Sequence, residues 1–293
     1  MRGFFIKEIY LMEVFMKKKN LLIPLYGIFM GISDSIPGVS GATIALILGI
    51  YESFISAWSF VFSNLFNFKT LTKSRELRFL ILLYIGVFLG MFSTLGLIDF
   101  LITNYQTSVF SFFSGLIIGS IFFLGSDIFK NPDFKNTQKS KYVSFFISTA
   151  IGFLVAFYIS GAQFLLEQHD FLIIFSSGFL AISAMILPGI SGAYVLLLLN
   201  QYSFIVKAVN DFNFPVLITF VLGVVLGLAS MSRLLKWVLD NFYLTTMFFL
   251  MGLMVGGLRA PISRIDNFVS FLIFGLIGAI VIVIIERFGR NNK

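Results

Sequence analysis

A pentapeptide that breaks a helix occurs twice in this chain, each time in the middle of an apolar stretch: PGVSG (Pro37 to Gly41) within 21–58 and PGISG (Pro188 to Gly192) within 171–206. Proline cannot continue a helical hydrogen-bond ladder, and two glycines within five residues sharpen the break. Each arm is then only about 15 to 18 residues, roughly 22 to 27 Å long, against a hydrocarbon core of about 30 Å. Such arms are short for a complete crossing. The sequence therefore predicts two re-entrant helical hairpins.

The rest of the chain supports a bilayer setting. Of 293 residues, 58% are hydrophobic and 12% charged, about half the charge that a soluble domain carries. Soluble enzymes, nucleic-acid binders and disordered chains are excluded, and the net charge of +7 is read as a record of membrane topology. With no cysteine and a single histidine, His169, disulfides, thiolate nucleophiles and most metal or acid–base constellations are unavailable. No cofactor and no metal is expected. His169 lies in the loop EQHD beside Glu167 and Asp170, where it reads as solvated.

Six further apolar stretches are long enough to cross: 79–103, 109–129, 142–163, 214–240, 243–259 and 268–285. The segment 1–20 has Lys17, Lys18 and Lys19 after its apolar residues, the reverse of a secretory signal, so it reads as a cytoplasmic lead-in; Met12 and Met16 are alternative starts. If both hairpins return to the side they entered, 18 of the 21 Lys and Arg residues face the cytoplasm, as the positive-inside rule asks. Only Lys207, Arg259 and Arg264 lie outside, and both termini are cytoplasmic. Two full crossings per hairpin would give the same sidedness, so charge leaves ten spans open.

The two pentapeptides belong to a longer repeat. At a constant offset of 151, Pro37 aligns with Pro188, Ser40 with Ser191, Gly41 with Gly192 and Tyr51 with Tyr202. A second register follows at 137: Gly86 with Gly223, Gly90 with Gly227, Ser93 with Ser230, Asn104 with Asn241, Gly115 with Gly252 and Gly119 with Gly256. The expected organisation is a lead-in, 1–20; unit one, 21–130, a hairpin with two spans; a linker with one span, 131–170; unit two, 171–265, built like the first; and a C-terminal span with a cytoplasmic tail, 266–293. The span between the units makes the number of crossings odd, so the second unit is inverted. The last span reads as a peripheral addition. The expected fold class is thus an all-α polytopic membrane protein, an inverted repeat with two re-entrant broken-helix hairpins and about six full transmembrane helices, an arrangement typical of secondary transporters.

Irregular backbone at membrane depth must be packed in protein or line a wet cavity, and here the tips are expected to face a cavity. New half-helices are expected at Ala42 and Ala193. Their unpaired N–H groups suit an anion, phosphate being the natural candidate, with Ser40 and Ser191 capping those ends or donating to the ligand. A tight turn in which each serine merely caps its own helix is the plainer alternative. Asp34 precedes the first break, and its repeat partner is Met185. An acidic residue at this depth suggests a proton or cation carrier, the other reading being a bond to local backbone. Glu52, aligned with Ser203, divides between a proton relay and a solvated helix end. Arg233 and Lys236 fit snorkelling anchors at the cytoplasmic face, or else an electrostatic funnel for phosphate. Arg259 and Arg264, flanking Pro261 outside, are candidates for attracting an anion.

The strings DSIPGVSGATIALILGIYE (Asp34 to Glu52) and MILPGISGAYVLLLLNQY (Met185 to Tyr202) resemble the paired signature of the bacterial polyprenyl-phosphate transporter family PopT, over approximately residues 22 to 285. The resemblance implies a non-enzymatic flippase in the cell membrane. Its role would be returning undecaprenyl phosphate, the lipid carrier of peptidoglycan precursors, from the outer to the inner leaflet; a coupling proton or sodium ion is the expectation from Asp34. It points to Asp34, Ser35, Pro37, Gly38, Ser40, Gly41, Thr43 and Glu52, and to Pro188, Gly189, Ser191 and Gly192, as substrate-binding residues. Ala42 and Asn200 depart from the pattern, each standing where glycine is expected; Asn200 leaves the local helix end open. The alternative function is a proton- or sodium-coupled transporter of a small soluble anion. A lipid phosphatase or transferase lacks the residues such chemistry needs.

Overall fold

The computed structural model describes residues 22–36, 39–135, 137–138, 140–161 and 170–290. Pro37, Gly38, the lead-in 1–20 and His169 lie outside the described residues. Within them the chain is helical: α1 Leu22–Asp34, α2 Gly41–Ile47, α3 Tyr51–Ser63, α4 Phe68–Thr72, α5 Arg75–Lys130, α6 Pro132–Lys135, α7 Ser140–Ile159, α8 Phe171–Met185, α9 Gly192–Leu198, α10 Tyr202–Asn210, α11 Phe214–Gly257, α12 Arg259–Ile262 and α13 Phe268–Arg290. It is an all-α polytopic membrane protein. Helices of crossing length and hydropathy cover 75–94, 100–130, 141–159 and 214–262, and α13 adds a shorter apolar run.

Short polar residues set the helix starts. Ser74 accepts from Leu77 N at 3.2 Å at the head of α5, and Asp170 accepts from Ile173 N at 2.8 Å at the head of α8; each satisfies an N–H that the helix leaves unpaired. The breaks inside the long helices obey the repeat. In α5 the backbone leaves helical geometry at Tyr105, and in α11 at Phe242 (ψ 38° and 44°, φ −135° in both). These two residues are 137 apart, and each break falls between two of the crossings expected from sequence. The preceding asparagines match as well: Asn104 donates to Phe100 O and Asn241 to Trp237 O, both at 2.8 Å.

The hairpins differ from expectation in their returning arms. The new helices start at Gly41 and Gly192, one residue earlier than expected. They last only seven residues each, then bend by 119° into α3 and by 107° into α10. The cause is a left-handed residue at each bend, Gly49 (φ 68°) and Asn200 (φ 55°), again 151 apart. Glycine and asparagine are the residues that adopt this conformation most readily, so Asn200 fills the place of the expected glycine and does the same job.

Glycines let the helices approach to backbone contact, as small residues do in membranes. A Cβ on Gly86 would overlap the Pro24 carbonyl, and one on Gly223 the Phe175 carbonyl, so α1 lies on α5 as α8 lies on α11. A further pairing gives 268–285, read from sequence as a peripheral addition, a counterpart elsewhere in the chain. Gly278 of α13 packs on Phe112 and Leu116 of α5, and Gly152 of α7 packs on Phe249 and Leu253 of α11. The α5 and α11 positions are 137 apart and the two glycines 126 apart. Thus α13 is the counterpart of α7, and each of the two packs on the other unit's second span.

Candidate functional site

The two hairpin tips meet inside the protein. Thr43 Oγ1 accepts a hydrogen bond from Gly189 N at 2.8 Å, Ser40 Oγ donates to Leu187 O at 3.5 Å, and Tyr51 OH donates to Ile186 O at 3.0 Å. All three bonds run from unit one to the chain around the Pro188 break. They satisfy backbone groups that the break leaves without helical partners. Ser40 is 2% and Thr43 1% exposed. The described tip residues are therefore packed against one another, where a cavity-facing arrangement was expected.

Asp34 has a defined local role. Its Oδ1 accepts from Gly41 N at 2.6 Å, pairing the first N–H at the head of α2. Ser40, placed by sequence to cap that end, makes no side-chain cap there; its hydroxyl is turned to Leu187 O instead. In unit two Ser191 does cap, accepting from Tyr194 N at 3.5 Å. Ser35 donates back to Gly31 O at 2.9 Å, within its own helix.

Gly41, Gly189 and Gly192 are needed for space. A Cβ on Gly41 would overlap the Asp34 carboxylate, and one on Gly192 would come within 2.7 Å of Ala181 O. Gly189 has φ 86° and rests on Leu253 and Met254 of α11, and a Cβ on Gly257, the last residue of that helix, would strike the Gly189 carbonyl. Pro188 is buried in the same turn.

The remaining candidates lie elsewhere. Glu52 shares a hydrogen bond with Tyr243, and Asp127 is close enough to act on the same tyrosine. Lys236 contacts Asp240 at 3.4 Å and donates to Ser56 at 3.2 Å, while Arg233 donates to Phe62 O at 2.6 Å. The bonds to Ser56 and Phe62 tie α11 to α3. Arg259 donates to Phe157 O at 2.9 Å and lies 4.3 Å from that ring's centre; Arg264 lies over Phe110 at 5.4 Å. Neither arginine contacts the described tip residues. Arg259 does touch Gly161 at the end of α7, next to Ser160, whose carbonyl accepts from Tyr194 OH at 2.9 Å.

Sequence reasoning missed the tyrosines. Tyr51, Tyr194 and Tyr243 all carry polar contacts at or beside the hairpins, and the Tyr51–Tyr202 alignment was the signal that could have singled out the first. Among the described residues no three histidine or carboxylate side chains gather to hold a metal ion.

Broken helices from two repeat units, meeting within a bundle of membrane helices, are the build of multi-pass membrane transporters. The chain belongs to the family described as undecaprenyl phosphate translocase-like, which it matches over residues 30–271. It is 34% identical over 240 residues to a polyprenyl-phosphate transporter of Vibrio cholerae, covering 80% of this chain and 75% of the relative. It is also 33% identical over 287 residues to a polyprenyl-phosphate transporter of Staphylococcus aureus, covering 92% and 97%. No solved structure matches the chain.

Proposed function

We propose that this protein is a flippase that carries undecaprenyl or another polyprenyl phosphate from the outer to the inner leaflet, recycling the lipid carrier for envelope synthesis, with both termini cytoplasmic. The observation that carries the reading is the junction of the two broken hairpins, Thr43 to Gly189 and Ser40 to Leu187. This junction supports a phosphate site that opens alternately to each side while the isoprenoid tail remains in the bilayer. The names and coverage of the two relatives support the substrate class.

Asp34 suggests how an ion couples. Its carboxylate holds the Gly41 N–H, the kind of donor a phosphate oxygen uses. Two anions cannot share one buried donor, since like charges at this distance repel strongly. A phosphate therefore enters only when a proton or a sodium ion neutralises Asp34, and the ion travels with the lipid. In this reading the repeat units are 21–130 and 171–265, with 131–170 and 266–293 supplying the exchanged helices. Arg259 and Arg264 collect the anion at the outer face, and Glu52 relays the proton towards the cytoplasm.

The test is purified protein in proteoliposomes, with a polyprenyl phosphate placed in one leaflet and its arrival in the other measured under an imposed proton or sodium gradient. Movement by the wild type that Asp34→Asn abolishes is expected. Failure of the wild type to move the lipid under either gradient overturns the substrate. The burial of Ser40 and Thr43 also suits a site sealed from lipid, which favours the small-anion alternative; competition by soluble phosphates but not by lipid phosphates would select it.

A further inference from the structure

The same residue stands at the first position of α3 and of α10: Tyr51 and Tyr202. Only one of them is used. Tyr51 is 1% exposed and donates to Ile186 O at 3.0 Å. Tyr202 is 40% exposed, and its hydroxyl has no hydrogen-bond partner among the described residues. The 151 register carries Ile186 to Ser35, and these two acceptors end their helices alike: Ile186 N donates to Ile182 O at 3.2 Å, and Ser35 N to Gly31 O at 3.1 Å. The left-handed residues that aim the two tyrosines, Gly49 and Asn200, also correspond. Every element of a second bond, from Tyr202 OH to Ser35 O, is present in the sequence, and the bond is not made.

Two inverted halves of like build give two states that interconvert when the halves exchange conformations. We propose that Tyr51 and Tyr202 are alternating latches: Tyr51 holds the present state by closing on the Ile186 carbonyl, and Tyr202 holds the opposite-facing state by closing on the Ser35 carbonyl. This rests on the transport reading above. The present state has one bond that its mirror image lacks, because the partner of Thr43 in the repeat is Tyr194, which has no short hydroxyl to receive Gly38 N. The present state is accordingly the resting one.

The cysteine-free chain allows a direct test in liposomes. The pair Ser40→Cys with Leu187→Cys reports the present state, since Ser40 Oγ lies 3.5 Å from Leu187 O. The pair Ser191→Cys with Ile36→Cys, its counterpart, reports the other. Disulfide yield in each pair is measured beside Tyr51→Phe or Tyr202→Phe, which remove one hydroxyl and leave the ring. Tyr202→Phe is expected to raise the ratio of present-state to opposite-state yield about three- to tenfold, and Tyr51→Phe to lower it by a similar factor, as the loss of one buried hydrogen bond implies. A merely structural hydroxyl at Tyr202, touching nothing here, would change neither yield, and that result overturns the latch. If a reporter pair fails to fold, alkylation of a single Met185→Cys is the second readout. Met185 is 38% exposed here, so alkylation slows when Tyr51→Phe populates the opposite state; no slowing overturns the proposal equally. Cross-linking uses no lipid. Shifted yields without lipid movement would leave the latch standing and remove the substrate, and lipid movement with unshifted yields would do the reverse.

Discussion

The two hairpins share a backbone and differ in chemistry. Both break at Pro-Gly-x-Ser-Gly, run seven residues, turn through a left-handed residue and continue with tyrosine. In hairpin one the tip has a carboxylate, Asp34, and supplies side-chain bonds through Ser40, Thr43 and Tyr51. In hairpin two the corresponding places are Met185, Ser191, Tyr194 and Tyr202, and the tip mostly receives bonds through its backbone. Duplication therefore supplied the frame twice, while the ionisable function was kept or acquired once. In the proposed mechanism one hairpin is the chemically active partner and the other its backbone-lined counterface.

The largest effect that would break this comparison is at Asp34. Asp34→Asn should reduce lipid movement in proteoliposomes to background, whereas Met185→Asn, at the repeat-equivalent position where no carboxylate is removed, should leave lipid movement well above background. Equal losses in both would show that the hairpins are chemically equivalent after all.

Next come the tip glycines. The Cβ of Gly41→Ala meets the end of a side chain, the Asp34 carboxylate, which can move; that of Gly192→Ala meets Ala181 O, fixed in backbone. Transport should therefore collapse in Gly41→Ala with little change in melting temperature. Gly192→Ala should lower the melting temperature in detergent by more, through overpacking of about 1 to 3 kcal/mol. The reverse pattern would sink the assignment of chemistry to hairpin one.

Smaller again is Thr43→Val. It leaves Gly189 N without its acceptor, a loss of about 1 to 3 kcal/mol for a buried donor, visible as earlier thermal unfolding. Tyr194→Phe breaks only a bond to the end of α7, and about 1 kcal/mol is expected. Finally, Asn200→Gly should be neutral within about 0.5 kcal/mol, while Gly49→Ala should lose about 1 to 2 kcal/mol even though nothing surrounds that Cβ, because alanine resists positive φ. Denaturation of the purified variants in one detergent checks all four.

Much of this architecture was legible in one dimension. Breaks at proline and glycine are local, so the hairpins and the crossings could be read directly, whereas Asn104 and Asn241 entered only as one match of the repeat and not as interruptions of long helices. What escaped depends on pairing between distant segments. Gly152 and Gly278 correspond at an offset of 126, yet a single glycine match in apolar helices carries little information, so the relation of α13 to α7 was invisible until both were seen packed. The second bend in each returning arm was hidden for a different reason. Gly49 is one of 25 glycines, and Asn200 looked like a departure from a motif when it is an equivalent solution. At the site, Asp34 was found because a carboxylate in an apolar stretch stands out. The carbonyls of Ile186 and Leu187, which receive the bonds from Tyr51 and Ser40, have no sequence signature at all, since every residue has one.

The exchange of third helices has a consequence for biogenesis. When α7 has left the ribosome, the face of α5 around Phe112 and Leu116 is still bare, because its partner α13 is made only after α11. At about 5 to 20 residues per second, that glycine-lined face waits in the membrane for several seconds or more, while α7 waits in turn for the second half of α11. Neither half is complete by itself, and the first to be synthesised is the last to be finished.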